Sequence, residues 1–244
     1  MINYRKSSSI SNYGNILPSF LVSFDIIQND DSISYYVTDC FGDRIIKFNE
    51  NWKYQTHSFN IKSPWDIKSI NNSFLYVSSN DGLYKVDATL NVIQSYETSL
   101  KFYRGLYFNQ TNGLLYAATL YNGIQVFGSN LNYIKTIFFS NNDKFLSLNG
   151  FNNQLYVGLA SGNILIVEND LNSKKYNPSS YPVKSISIDQ MGNLYLSCDN
   201  LIKVYNADLT YTNVSLFSED AYKIGIDAMG RMIVITRNKI DIYH

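Results

Sequence analysis

Aromatic and charged residues stand side by side at several positions that follow a repeat of about 40 residues. Aromatic faces can stack on bases, sugars or peptide groups, and a neighbouring Arg or Lys can reach a phosphate or a carboxylate. The pattern therefore predicts a binding surface for a polar or anionic partner, provided that the fold brings these positions together. The candidate binding residues are Trp65, Asp66, Tyr103, Arg104, Lys184, Tyr222 and Lys223.

Side chains suited to acid–base, nucleophilic or metal chemistry are sparse. His57 lies in a predicted outer strand and His244 is the last residue, so neither is expected to activate a Ser or Cys. Asp189 and Asp227 precede glycine-containing turns and are typical of turn chemistry. Asp66 is the one acid at the start of a predicted inner strand, and a single carboxylate does not make a metal site. We therefore predict no catalytic residue, no metal site and no cofactor.

A strand motif centred on tyrosine repeats along the chain and supplies the frame for these residues. Repeats of about 40 residues built from short strands are typical of propellers, in which each blade is a four-stranded sheet. The predicted fold class is all-β: a six-bladed β-propeller with about 40 residues per blade. The motif centres, which we expect to be buried between blades, are Tyr36, Tyr76, Tyr116, Tyr156, Tyr195 and Ile233.

Each repeat is predicted to contain an apolar inner strand, the tyrosine strand, a turn, a third strand and an outer strand. Inner strands are expected to start on one face, around the mouth of the channel. The turn before the outer strand is polar except for one apolar residue, and these residues are Trp52, Leu90, Leu131, Leu171 and Leu209.

The sixth repeat lacks an outer strand of its own, which would leave an unpaired sheet edge. We expect part of Ile2–Ile16 to pair beside Lys239–Tyr243 and close the ring. One domain is predicted over residues 1–244. Its blades are placed at about 20–60, 61–99, 100–139, 140–178, 179–218 and 219–244, the last completed by a strand from 1–19.

Composition constrains the partner and the compartment only a little. The chain has 244 residues, with 20 Lys and Arg against 20 Asp and Glu, so its net charge predicts no general attraction to nucleic acid or anionic membranes. No transmembrane segment or signal peptide is expected, and the compartment and oligomeric state stay open. Cys40 and Cys198 fall in repeats one and five, where no disulfide between them is expected.

Three segments resemble the NHL repeat. Thr38–Phe48 has an Asp-containing turn followed by Arg-Ile and an apolar strand, and Met191–Tyr195 contains the Gly-Asn-Leu-Tyr step. Pro64–Ile67 resembles the family's start of the inner strand, with Asp66 in place of Gly. The resemblance spans roughly residues 20–243. It implies a six-bladed propeller of a kind used mostly to bind proteins, RNA or small ligands, although some relatives of the architecture are lactonases, lyases or hydrolases.

The leading functional prediction is a non-catalytic binding or scaffold propeller that contacts a protein or another ligand through one face. A lactonase-type or lyase-type enzyme is the main alternative, and a bound metal would favour it. RNA or another anionic ligand on the aromatic and basic residues is a further alternative, which salt-sensitive oligonucleotide binding would favour. A lectin-like use of the tyrosines is also open. The simplest alternative is that these side chains only pack and solvate the rim.

Overall fold

The regular structure is almost entirely β. The computed structural model describes residues 5–10, 13, 16–29, 32–98, 102–121, 123–139, 143–168, 172–198, 200–218, 220–227 and 229–244. Within these ranges there are 24 strands and one three-residue 3-10 helix, Cys40–Gly42. Nothing helical in the described ranges has the length and apolar character that a membrane crossing demands.

The strands fall into four positions within each sheet, counted outward from the central channel. The inner strands are β2 (Leu21–Asn29), β6 (Pro64–Ser69), β10 (Tyr103–Asn109), β14 (Phe145–Phe151), β18 (Val183–Ile188) and β22 (Lys223–Ile226). The second strands are β3 (Ser32–Asp39), β7 (Phe74–Ser79), β11 (Leu114–Thr119), β15 (Gln154–Leu159), β19 (Leu194–Cys198) and β23 (Met232–Ile235). The third strands are β4 (Arg44–Asn49), β8 (Gly82–Asp87), β12 (Gly123–Phe127), β16 (Ile164–Glu168), β20 (Leu201–Tyr205) and β24 (Ile240–Tyr243). The outer strands are β5 (Tyr54–Ser58), β9 (Val92–Glu97), β13 (Tyr133–Phe138), β17 (Asn172–Tyr176), β21 (Tyr211–Phe217) and, from the start of the chain, β1 (Lys6–Ile10).

Six antiparallel four-stranded sheets form the ring, which confirms the predicted six-bladed propeller. Five sheets use consecutive strands, as in the order β2-β3-β4-β5, and the sixth has the order β22-β23-β24-β1. Each inner strand contacts the inner strands of both neighbouring blades, and β2 contacts β22 where the ring closes.

The predicted closing strand is β1, which pairs antiparallel with β24. Ser9 lies opposite Asp241 and donates a hydrogen bond from Oγ to its carboxylate at 2.6 Å. Lys6 Nζ lies 2.8 Å from the same carboxylate. Tyr13 is buried next to this strand, and its hydroxyl donates to the carbonyl oxygen of Ile10 at 2.8 Å. The edge of the sixth blade is therefore covered by the start of the chain.

Tyrosines at the centres of the second strands fill the space between blades, as predicted. All six predicted centres, from Tyr36 to Ile233, are buried. The Tyr36 hydroxyl donates to Ala88 O at 2.9 Å and the Tyr76 hydroxyl donates to Ser129 O at 2.8 Å. These acceptors belong to turns of the following blade, so the tyrosines link neighbouring blades as well as filling the core.

The apolar residue in each turn before an outer strand has an unusual backbone. Trp52, Leu90, Leu131 and Leu209 have φ values of 58°, 71°, 54° and 68°. Bulky residues rarely adopt the left-handed region, so tertiary packing has to stabilise it. Trp52 is buried and stacks on Tyr35 with ring centroids 3.9 Å apart, which supplies such packing. The fifth predicted member of this set, Leu171, lies outside the described residues.

The Arg-Ile segment of blade one has a structural role. Arg44 donates from Nε and Nη2 to Asp39 Oδ2 at 2.9 and 2.7 Å, and Nη2 also donates to Leu17 O at 2.6 Å. Asp39 Oδ1 accepts the backbone N–H of Phe20 at 2.7 Å. This buried ion pair holds the chain in place just before its first inner strand.

Candidate binding site at the mouth of the channel

Two cavities lie along the central channel. The mouth cavity, of about 210 Å³, is lined by the first residues of the inner strands: Val22, Ser23, Trp65, Asp66, Arg104, Leu146, Ser147, Lys184, Tyr222 and Lys223. The channel cavity, of about 150 Å³, is lined by later residues of the same strands, including Asp25, Lys68 and Asn149. Lys223 lines both cavities.

A β-bulge near the start of the inner strand places one side chain from each of blades one to five at the mouth cavity. The strand register shifts at this point in five of the six described inner strands, those of blades one to five. Bulges commonly redirect side chains beside functional sites. The residues at the five shifts are Val22, Trp65, Arg104, Leu146 and Lys184, and all five line the mouth cavity.

Tyr103 was expected at the mouth of the channel, and the structure places it elsewhere. It precedes the bulge, is fully buried in the core, and donates a hydrogen bond from its hydroxyl to Gln125 Oε1. Its counterparts Leu21, Phe145 and Val183 are also buried, so this position belongs to the packing between blades. Tyr103 does not line the mouth cavity, whereas the other six candidate residues do.

Asp66 lies on the wall of the mouth cavity, and its carboxylate connects several blades through hydrogen bonds. Lys223 Nζ lies 2.7 Å from Oδ1, which also accepts the Ser23 hydroxyl. Oδ2 accepts the backbone N–H of Leu106 at 2.8 Å. These partners come from blades six, one and three, and Asp66 itself is buried in blade two. The protein thus satisfies both oxygens of this carboxylate internally.

Arg104 differs from the other charged residues of the cavity in having no carboxylate partner among the described residues. Its Cζ lies 3.6 Å from the centroid of the Trp65 ring, and Nη1 donates to Asn80 Oδ1 at 3.0 Å. The same amide oxygen accepts Trp65 Nε1–H at 2.8 Å, so Asn80 orients both side chains. No Asp or Glu in the described part of the chain forms an ion pair with Arg104, whose electrostatic neighbours are Cys40 and Tyr121.

Lys184 and Tyr222 form the opposite wall. Lys184 Nζ lies 4.8 Å from the centroid of the Tyr222 ring and pairs with the half-exposed carboxylate of Asp220. The rings of Tyr222 and Phe20 pack in a T-shaped arrangement, with centroids 4.8 Å apart and planes at 78°. A cation therefore lies over the ring of each aromatic residue that lines the mouth cavity.

The protonation states of two cavity residues stay fixed around neutral pH. Burial, helped by the hydrogen bond to Asp220, raises the pKa of Tyr222 to about 12, so its hydroxyl stays neutral. Burial lowers the pKa of Arg104 to about 10, which still leaves the guanidinium charged at pH 7.

Exposed apolar side chains lie on the same face of the propeller as the mouth cavity, and the sequence patterns did not reveal them. They lie in loops that precede an inner strand or that join a second strand to a third strand, which places them on the face where the inner strands begin. Their exposed fractions range from 47% to 89%. We call these residues the apolar ring: Leu17, Phe41, Phe59, Phe102, Tyr121 and Tyr181. The sequence did contain one indication of them, because large apolar residues occur in loops, where polar residues are usual.

The acids assigned to turns behave as predicted. Asp189 Oδ1 accepts the backbone N–H groups of Met191 and Asn193, both at 2.9 Å. Asp227 Oδ1 accepts those of Met229 and Arg231 at 3.0 and 2.9 Å. Among the residues that the structure describes, no three His, Cys, Asp or Glu side chains cluster in a way that could hold a metal ion.

Comparison with known proteins supports the fold and does not assign a family. The sequence matches no protein-family model and no curated protein. A crystal structure of RRP9 WD40 repeats is similar over 99% of both chains, with a TM-score of 0.74 at 9% identity. The structure of streptogramin B lyase is similar over 97% of both chains, with a TM-score of 0.76 at 11% identity. At such low identity these similarities establish the propeller architecture alone.

Proposed function

We propose that this protein is a non-catalytic binding propeller whose partner docks on the face that carries the mouth cavity and the apolar ring. The observation that carries the proposal is the environment of Arg104. A partly buried guanidinium, held by Trp65 and Asn80 and lacking a carboxylate partner in the described chain, lies on the same face as the exposed residues of the apolar ring. Arg and large aromatic residues commonly dominate the energy of protein interfaces.

The groups in the mouth cavity favour binding over acid–base catalysis. A general base needs an accessible group whose proton affinity suits the working pH. Asp66 is occupied by Lys223, Ser23 and backbone N–H groups. The pKa values of Tyr222 and Arg104, about 12 and about 10, keep both residues in one protonation state near neutrality. The lyase alternative therefore has little support from these side chains.

The segments that resemble NHL repeats add support of a different kind. Thr38–Phe48 builds part of blade one, and Pro64–Ile67 supplies Trp65 and Asp66 of blade two to the mouth cavity. We include in the proposal that the chain is an NHL-like propeller and a protein-binding scaffold, the use that this resemblance implies.

Charge reversal tests the proposal. Arg104→Glu combined with Lys184→Glu should abolish retention of the natural partner from an extract of the source cells, as measured by quantitative mass spectrometry. Lys175→Glu is the matched control, because Lys175 is exposed on the outer strand β17. Thermal unfolding of both variants is measured alongside, so that loss of retention can be separated from loss of the fold. Arg104→Gln combined with Lys184→Gln, which removes both charges without adding a carboxylate, replaces the double variant if that variant melts early. Retention of the same proteins by wild type and the double variant would contradict the proposal.

A further inference from the structure

We propose that the partner is a protein segment that inserts a carboxylate into the mouth cavity, where Arg104 binds it. The inference rests on the proposed function and specifies the chemistry of the partner. The carboxylate is that of an Asp or Glu side chain or of a chain terminus. The apolar ring would contact the partner's residues on either side of this carboxylate.

Charge complementarity inside the mouth cavity calls for one anionic group. Three cations line the cavity, but Lys223 is paired with Asp66 and Lys184 with Asp220. Arg104 remains without a counter-ion among the described residues, and burial already lowers its pKa. Burying a charge is costly unless it is paired. A ligand carboxylate would supply the missing partner.

The guanidinium of Arg104 is held in position before any ligand arrives. Its face lies 3.6 Å from the Trp65 ring centroid, and Nη1 is fixed by Asn80. Within the described residues this is its one hydrogen bond, so other N–H groups of the planar fork stay available. A guanidinium fork can bind a carboxylate through two parallel hydrogen bonds, and prior ordering of the side chain lowers the entropic cost.

The mouth cavity is small, and its lining suits an acidic side chain. Its volume of about 210 Å³ is below the roughly 300–1,000 Å³ of pockets for drug-sized ligands. Val22, Leu146 and the Trp65 ring give apolar walls that suit the methylene stem of an acidic side chain. The carboxylate would then meet Arg104 at the end of that stem.

A nucleic acid fits this surface less well than a protein does. Single-stranded nucleic acids need open aromatic faces and several cations along the backbone. Arg104 covers one face of Trp65, and Lys184 lies over the ring of Tyr222. The surrounding surface carries exposed Phe and Tyr side chains, which are enriched in protein interfaces. Within the mouth cavity, Arg104 is the one lining cation that has no carboxylate partner among the described residues, and this matches one carboxylate better than a chain of phosphates.

Two random heptapeptide display libraries test the inference, one blocked at both ends and one ending in a free carboxyl group. Wild type and Lys175→Gln should enrich an acidic residue at one position, or the free terminus, and Arg104→Gln should not. In fluorescence anisotropy, a labelled peptide of the enriched sequence should lose about tenfold or more in affinity when its carboxylate becomes an amide. Arg104→Gln should cause a similar loss, and Arg104→Lys a smaller one.

The outcomes separate this inference from the proposed function. The enriched peptides could lack an acidic residue and still lose binding to the variant that combines Phe59→Ala with Tyr181→Ala. That result would overturn the inference of a bound carboxylate and would retain the proposed binding face. Peptides that are insensitive to Arg104→Gln and to the Phe59/Tyr181 pair would contradict both, as would failure to enrich any sequence. Tighter binding of a labelled uridine 12-mer than of any acidic peptide, lost in Arg104→Gln, would replace the protein partner with RNA.

Discussion

Asp66 and Arg104 both line the mouth cavity, yet their surroundings give them opposite roles. Asp66 is buried and holds together elements of blades one, two, three and six through Ser23, Leu106 and Lys223. Arg104 is held by neutral groups and has no carboxylate partner in the described chain. At the residue scale, the atoms that contact a charged side chain decide whether it serves as a structural ion pair or remains available to bind a ligand. Its residue type alone does not decide this.

Replacing Asp66 tests its structural role. Asp66→Ala would leave the Lys223 ammonium, which is only 20% exposed, without its counter-ion. Breaking a buried ion pair from one side costs about 3–5 kcal/mol, so the free energy of unfolding in urea should fall by that amount. Asp208→Ala, in an exposed turn, is the control and should change it by less than about 1 kcal/mol. A loss as small as that of the control would show that Asp66 is dispensable for the ring.

Six of the seven candidate site residues were predictable because starts of inner strands converge on the channel mouth. Tyr103 was misplaced because pairs of adjacent residues were aligned without the bulge: Tyr103 corresponds to Pro64, whereas Arg104 corresponds to Trp65. Asn80 lies in the loop between β7 and β8, and no local pattern in the sequence encodes its contacts with Trp65 and Arg104.

At the element scale, alternation of apolar and polar residues together with the tyrosine repeat placed the strands close to their observed positions. Turn conformations were less predictable. Asn and Gly are the residues that most readily adopt positive φ, but Leu90 and Leu131 also adopt it here. Both leucine side chains are buried, and this tertiary packing outweighs the preference of leucine for negative φ.

The tyrosines of the second strands provide a test of packing between blades. Tyr116→Ala or Tyr156→Ala should lower the free energy of unfolding by about 3–5 kcal/mol, because each removes a buried aromatic ring. Tyr133→Ala is the matched control, since Tyr133 lies half-exposed on the outer strand β13 and should cost less than about 1 kcal/mol. Equal losses for buried and exposed tyrosines in chemical denaturation would argue against this packing.

At the scale of the whole molecule, ring closure depends on strand β1. Its side chains are mostly exposed, so it contributes mainly backbone pairing with β24 and the contacts of Ser9 and Lys6 with Asp241. A short edge strand of this kind protects the sheet edge beneath it from pairing with other chains.

Removing residues 1–10 should expose the edge of β24. We expect a lower melting temperature and concentration-dependent aggregation in light scattering. A synthetic peptide of residues 1–12, added in excess, should restore the melting temperature, whereas a scrambled peptide should not. Unchanged melting and solubility of the shortened chain would mean that β1 does not close the ring.

The central claim is that the partner docks on the face that carries the mouth cavity. Photo-crosslinking tests it most directly, with p-benzoylphenylalanine replacing Phe102 in the apolar ring or Met229 in a loop at the other end of a blade. The two positions are similarly exposed, at 47% and 56%, so accessibility alone does not favour either. Irradiation in the source cells should give a covalent partner adduct from position 102 and none from position 229. An adduct from position 229 alone would contradict the account.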